Sequence, residues 1–170
     1  MELDGLPKQS DGAILVVTGG REVGKTTFCR KVIGYYRGEG KSVSGLLSPA
    51  RFENGKKTGI LAVALETNEQ RLLASQVEGE IDGVRQGCWT FDAEVVAWGN
   101  QQLEKIVETN LLVIDELGPL EFQRHLGWQA AFDCLKFGKF GLALVVIRPE
   151  CLGDFSGLGF TFEVKKLSHQ

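Results

Sequence analysis

Eight residues near the N-terminus carry the most specific chemistry in this chain. Gly19-Gly20-Arg21-Glu22-Val23-Gly24-Lys25-Thr26 fits G-x-x-x-x-G-K-[ST] in full. The spacing has a physical reason. Glycines let the backbone curl so that successive N–H groups point inward at phosphate oxygens. The N-terminus of a helix that follows adds partial positive charge. Lys25 is spaced to reach the β- and γ-phosphates of a nucleotide, and the Thr26 hydroxyl to ligate Mg2+. Thr27 is placed to hydrogen-bond the α-phosphate, while Arg21 and Glu22 read as solvent-facing members of the loop.

A second constellation is Leu111-Leu112-Val113-Ile114-Asp115-Glu116, an apolar run that ends in two adjacent carboxylates. Alone, such a run is an ordinary strand with an acidic end. Beside a phosphate-binding loop it fits the Walker B pattern, in which Asp115 holds Mg2+. Glu116 then stands where a carboxylate can take a proton from water, or orient it, for attack on the γ-phosphate; the plainer reading is an acidic residue in the turn after the strand. P-loop ATPases with such a glutamate form a division with an additional strand between the P-loop and Walker B strands. Asp115-Glu116-Leu117-Gly118 also fits the D-x-x-G of a switch GTPase, but the guanine-reading N-K-x-D is absent from the sequence.

Arg148 follows a third apolar run, at what should be the carboxyl edge of a sheet, where α/β folds bind ligands. There it is placed to sense the γ-phosphate or damp transition-state charge, or equally to pair with Glu150 or Glu163. Glu121 positions water or caps the next helix, with capping the preferred reading. Lys56 and Lys57 read as a solvated turn, and Trp89, Trp98 and Trp128 as core rather than stacking platforms.

These residues need elements to hold them. Ala13 to Val17, Leu111 to Ile114 and Leu142 to Ile147 are continuous apolar runs, typical of parallel strands buried on both faces. Lys25 to Arg37 predicts a helix, because Phe28, Val32 and Tyr36 repeat at i+4, as do Cys29 and Ile33. Val43 to Phe52 and Thr58 to Leu65 predict two strands, joined through the Asn54-Gly55 hairpin signal. Residues 70–77, Gln86 to Phe91 and Phe160 to Val164 add candidate strands. Asp92 is a good N-cap for a helix with Val96, Gly99, Leu103 and Ile106 on one stripe, and Phe122 to Phe137 predicts another helix. Strands alternating with helices mean an α/β fold with a mainly parallel sheet in three layers, carrying an inserted antiparallel hairpin over 43–65.

Composition bounds the remaining options. The 170 residues are 43% hydrophobic and 24% charged, which suits one globular domain and excludes disorder, collagen and coiled coil. The organisation read from this is an N-terminal flexible arm over 1–12 and a single domain over 13–170. The net charge of −3 argues against nucleic acid as a main partner, since a phosphate backbone demands a basic face. The longest apolar run has six residues, against ~20 for a membrane span. With no basic, apolar leader, a cytoplasmic location is expected. Cys29, Cys88, Cys134 and Cys151 form no C-x-x-C and, with only two histidines, no zinc pattern; they are expected to be reduced and mostly buried. Nothing in the sequence names a protein partner.

Asp115-Glu116-Leu117-Gly118-Pro119-Leu120-Glu121, behind an apolar strand and a Gly-Lys-Thr-Thr loop, resembles the small P-loop nucleoside-triphosphatases first described in thermophilic microbes. The cancer-related nucleoside-triphosphatase of animals belongs to the same family. Gly45 followed by a strand, an Asn-Gly turn, two basic residues and Gly59 is similar to the family's hairpin. The resemblance covers about residues 13–148. It implies hydrolysis of ATP, GTP and other nucleoside triphosphates with Mg2+ and loose base specificity. The chain departs from the family twice. Ser48-Pro49-Ala50-Arg51-Phe52 lacks the acidic residues usual there, and only 21 residues, without a clear final helix, follow Pro149.

The sequence therefore predicts a phosphate-releasing enzyme with Lys25, Glu116 and Arg148 at the chemistry and Thr26 and Asp115 on the metal. A nucleoside or nucleotide kinase would share the loop, but usually closes an Arg-rich lid, and no Arg-rich stretch occurs. A nucleotide-gated binding module is the non-enzymatic alternative.

Overall fold

Buried alternation builds a sheet first. The computed structural model describes Leu6, Pro7 and residues 11–169; most of the arm expected over 1–12 lies outside the described residues. In chain order the elements are β1 (Ala13–Gly19), α1 (Lys25–Gly38), β2 (Val43–Leu47), β3 (Ala50–Glu53), β4 (Lys56–Ala64) and β5 (Gln70–Ser75). Next come β6 (Val84–Gln86), β7 (Trp89–Phe91), α2 (Ala93–Glu104), β8 (Glu108–Leu117), α3 (Pro119–Phe122), α4 (Ala130–Phe137) and β9 (Lys139–Ile147). A 3-10 turn (Pro149–Cys151), α5 (Leu152–Ser156) and β10 (Glu163–Leu167) complete the set.

All strands join one sheet in the order β10-β1-β9-β8-β2-β4-β5-β7-β6, with β3 paired to β4. β9 lies between β1 and β8, which is the additional strand expected from Glu116. Successive residues of a buried strand face opposite sides, and the core divides accordingly. Leu15, Val17, Leu111, Val113, Leu144 and Val146 pack with Cys29, Val32, Ile33 and Tyr36 of α1. Ile14, Val16, Leu112, Ile114, Val145 and Ile147 pack on the other face with Val95, Trp98 and Leu103 of α2, Leu135 of α4 and Phe155 of α5. Helices thus cover both faces. Each fully buried aliphatic side chain contributes about 1.5–3 kcal/mol relative to exposure.

The sheet corrects the expectation of a mainly parallel arrangement. β10, β1, β9, β8 and β2 are mutually parallel, but β2–β4, β3–β4, β4–β5, β5–β7 and β6–β7 are antiparallel pairs. The sheet is mixed, and the insertion is a block of five strands rather than a hairpin. Its connections, residues 54–55, 65–69, 76–83 and 87–88, are too short for a parallel crossover. The expected strand from Val43 to Phe52 breaks at Ser48-Pro49, because proline has no N–H to continue the ladder. The Asn54-Gly55 turn forms as expected, with φ of 50° and 75°.

Three other expectations change. The strand expected over Gln86 to Phe91 is instead part of a small hairpin, β6 with β7, that pairs Val84 with Phe91 and turns at Gly87, φ 61°. The helix expected from Phe122 to Phe137 forms only as α4, Ala130–Phe137; α3 ends at Phe122, and in the segment between them His125 and Gly127 take φ of 52° and 66°. The last strand runs from Glu163, not Phe160, because Phe160 and Phe162 pack on Phe155 instead, at centroid separations of 5.2 and 5.1 Å. Asp92 caps α2 as read from the sequence, accepting from the N–H groups of Glu94 and Val95. Trp98 and Trp128 are buried, whereas Trp89 is half-buried. The four cysteines are free: Cys29 and Cys151 are buried, Cys134 is partly so, and Cys88 is exposed.

Candidate active site

The carboxyl ends of β1, β8, β9 and β2 converge on one edge, and each delivers a site residue there. β1 ends at Gly19 and α1 starts at Lys25, with Gly24 between them at φ 92°. An L side chain rarely adopts that value, so glycine is required at the turn into the helix. The Phe28 N–H donates to Gly24 O at 2.9 Å. The N–H groups of Lys25, Thr26 and Thr27 precede that bond and are free of intrahelical partners. Lys25 folds back over the loop, with Nζ donating to Gly19 O at 3.0 Å and to Gly20 O. Arg21, Glu22 and Thr27 are exposed, and Val23 is partly buried.

Asp115 is 3% exposed. The Thr26 hydroxyl donates to its Oδ2 at 3.0 Å, joining residues 89 positions apart. The Ser48 N–H donates to the same oxygen at 3.1 Å, and the Ser48 hydroxyl donates to Asp115 O. The β8–β9 register shifts between Asp115 and Leu117. Such a bulge re-aims side chains, and Glu116 stands at it, partly exposed. Arg148, one residue past β9, brings Nε to 3.2 Å from Glu116 Oε1 and Nη1 to 3.8 Å from Glu150 Oε1. Of the partners expected for Arg148, Glu150 is therefore observed and Glu163 is not; Glu116 is the nearer one and was not foreseen. Gly118 makes room for this pair, since a Cβ there would lie 3.1 Å from Arg148 Cδ.

The electrostatics set two carboxylates apart. Burial, reinforced by the Glu116 charge, pushes Asp115 up to about 7, against hydrogen bonds from Ser48 and Thr26. Among the described residues Asp115 has no ion-pair partner. A buried carboxylate and an adjoining hydroxyl are hard oxygen donors, and they fit a hard divalent cation such as Mg2+, which takes few protein ligands. Burial also raises Glu116, while Arg148 and then Lys25 and Lys57 hold it down.

Glu121 caps α3, as preferred from the sequence: its Oε2 accepts from the Gly118 N–H at 3.2 Å. It is 6% exposed, and burial pushes it up to about 7. A carboxyl raised in the folded state binds its proton more tightly there than in the unfolded chain. The stabilising contribution is complete below the unfolded value near 4.5 and is lost as pH rises through about 7. Melting curves of wild type and Glu121→Gln should therefore converge less at pH 8 than at pH 4. Wild type is expected to lose about 1 kcal/mol or more relative to the variant, about 2–4 °C. Parallel curves across that range would contradict it.

The structure brings together Lys25, Thr26, Asp115, Glu116 and Arg148 from three segments. Ser48 escaped the sequence reading. Its signal was positional: it follows β2, whose Leu46 pairs with Ile114 immediately before Asp115.

A family model described as NTPase matches residues 14–155. The nucleoside-triphosphatase THEP1 of Hyperthermus butylicus is 33% identical over 154 residues, 88% of this chain and 81% of that protein. The protein of the same name from Methanopyrus kandleri is 33% identical over 112 residues, 65% of this chain and 61% of that one. A solved structure of a human cancer-related nucleoside triphosphatase superposes with a TM-score of 0.70 over 92% of this chain and 89% of that chain, at 19% identity. The fold is shared despite the low identity.

Proposed function

The chain belongs to the NTPase family and is a nucleoside-triphosphatase, and from that premise we propose that it is a single three-layer P-loop domain over residues 13–170 that hydrolyses nucleoside 5'-triphosphates to diphosphate and phosphate with Mg2+ and broad base specificity. The observation that carries this reading is the Thr26–Asp115 hydrogen bond, which ties the glycine loop to the end of β8. Both groups then face one point, and Glu116 stands beside it.

The residue roles follow from the chemistry of each atom. The amides of the Gly19–Thr27 loop bind phosphate oxygens, and Lys25 exchanges the Gly19 and Gly20 carbonyls for the β- and γ-phosphates. Thr26 and Asp115 would hold Mg2+, which when bound neutralises charge on the phosphate oxygens. Glu116 takes the proton of the attacking water as its oxygen bonds to the γ-phosphorus and the bond to the bridging oxygen breaks. Arg148 favours the ionised form of Glu116 against its burial and aims it, and lies beside the γ-phosphate as charge shifts. The acidic balance supports no role for nucleic acid, and no helix among the described residues is long and apolar enough to cross a membrane. A cytoplasmic location belongs to the same proposal.

The test is phosphate release without any acceptor present. Turnover of ATP, GTP, CTP and UTP should agree within roughly tenfold, about 1.4 kcal/mol in transition-state binding. The motive is the absence of N-K-x-D. A hundredfold preference for one base would defeat broad specificity, and release that depends on a nucleoside acceptor would favour the kinase reading.

A further inference from the structure

The site holds one cation beyond those assigned above. Lys57 lies on β4 two residues past the Asn54–Gly55 turn, paired with Phe52 of β3. Only the far end of β4, Val63 and Ala64, pairs with β2. The near end therefore runs past the edge where β1, β8 and β9 present the site. Register breaks between Arg51 and Phe52 and between Ile60 and Leu61 bend this part of the block. The result is that Lys57 comes within electrostatic reach of Glu116, alongside Lys25 and Arg148.

The three cations are held differently. Lys25 is bonded to loop carbonyls and Arg148 to two carboxylates. Lys57 Nζ sits 5.4 Å from the centroid of the Trp89 ring and, among the described residues, makes no hydrogen bond or ion pair. An aromatic face attracts an ammonium without consuming its N–H groups. Lys57 is also partly buried, where an unspent charge is costly and an incoming anion is correspondingly favoured. This is a cation within electrostatic reach of Glu116 whose N–H groups, among the described residues, are unspent.

Building on the function proposed above, we propose that Lys57 is a substrate-binding residue that takes the terminal phosphate from the side of the antiparallel block, and that Trp89 aims it. The solvated-turn reading then applies to Lys56, which is exposed, and not to Lys57. The consequence is selectivity for triphosphate over diphosphate: Lys57 engages the substrate and releases the product.

Equilibrium binding of a non-hydrolysable ATP analogue and of ADP, each with Mg2+, tests this on wild type, Lys57→Met, Lys57→Arg and Trp89→Leu. Lys57→Met should weaken the analogue about 10–100-fold and leave ADP within about twofold, so that ADP binding itself reports an intact fold. Lys57→Arg should recover most of the loss, and Trp89→Leu should weaken the analogue selectively but less. Equal weakening of both nucleotides, or no weakening of the analogue, overturns the inference while leaving the hydrolase reading in place. Lys25→Ala serves as the contrast, since it should weaken both. A wild type that binds neither nucleotide removes the proposed function and this inference with it.

Discussion

Lys25→Ala should lower triphosphate turnover by about a thousandfold or more while the protein still melts cooperatively near the wild-type temperature. The size follows from the role proposed for the ammonium, a charged donor to the phosphate oxygens; losing one such donor typically costs about 10²–10³ in rate before the weaker binding is counted. The structural cost is small. Among the described residues the Lys25 ammonium donates only to the Gly19 and Gly20 carbonyls at the rim of the sheet, so truncation opens no core cavity, although it removes a positive charge that favours the ionised forms of Asp115 and Glu116. Steady-state phosphate release and a thermal melt on the same preparation check both halves. A variant that keeps near wild-type hydrolysis places the site elsewhere in the chain.

Glu116→Gln should reduce turnover by about 10²–10⁴-fold, the usual worth of a positioned proton acceptor. Glutamine keeps the size of the side chain and loses its charge and basicity. Arg148 retains Glu150 at 3.8 Å, so the arginine is not stranded. Affinity for Mg2+ and ATP should hold or tighten, because a negative charge facing the γ-phosphate is removed. Asp115→Asn should behave differently. Its Oδ2 accepts from both Thr26 and Ser48, so an amide placed there disturbs the loop and weakens Mg2+-dependent binding as well. Single-turnover hydrolysis with an equilibrium binding curve on both variants separates the two roles. An unchanged single-turnover rate for Glu116→Gln would remove Glu116 as the base.

The two motifs were legible because their chemistry is local. Gly24, Lys25 and Thr26 are neighbours in the chain, and the run before Asp115 announces its own burial. Helix α2 was legible for the same reason, through Asp92 and a stripe that includes Gly99 and Leu103. What escaped was set by pairing between distant strands. Ser48 looks like an ordinary turn residue until β2 is known to lie beside β8. Arg148 was placed at the correct edge, but its partner Glu116 lies 32 positions away, across a bulge that leaves no sequence signature. Lys57 follows a textual turn signal, and that signal describes its backbone while the ring of Trp89 decides its side chain. The broken helix after Phe122 was missed because Trp128, Ala131 and Leu135 keep helical spacing to the core even though the segment before them does not.

The order of strands also sets a timetable. β1 is the first strand among the described residues, yet its two hydrogen-bonded neighbours are β9 and β10, with Ala13 beside Leu142 and Leu15 beside Glu163. At a synthesis rate of ~5–20 residues per second, the first of those partners leaves the ribosome roughly 6–26 s after β1 does. Throughout that interval an apolar strand with two open edges waits in the nascent chain, a natural client for a chaperone and a template for mispairing. The glycine loop proposed to bind phosphate leaves β1 directly, and it can be fixed in place only after β9 and β10 have been made.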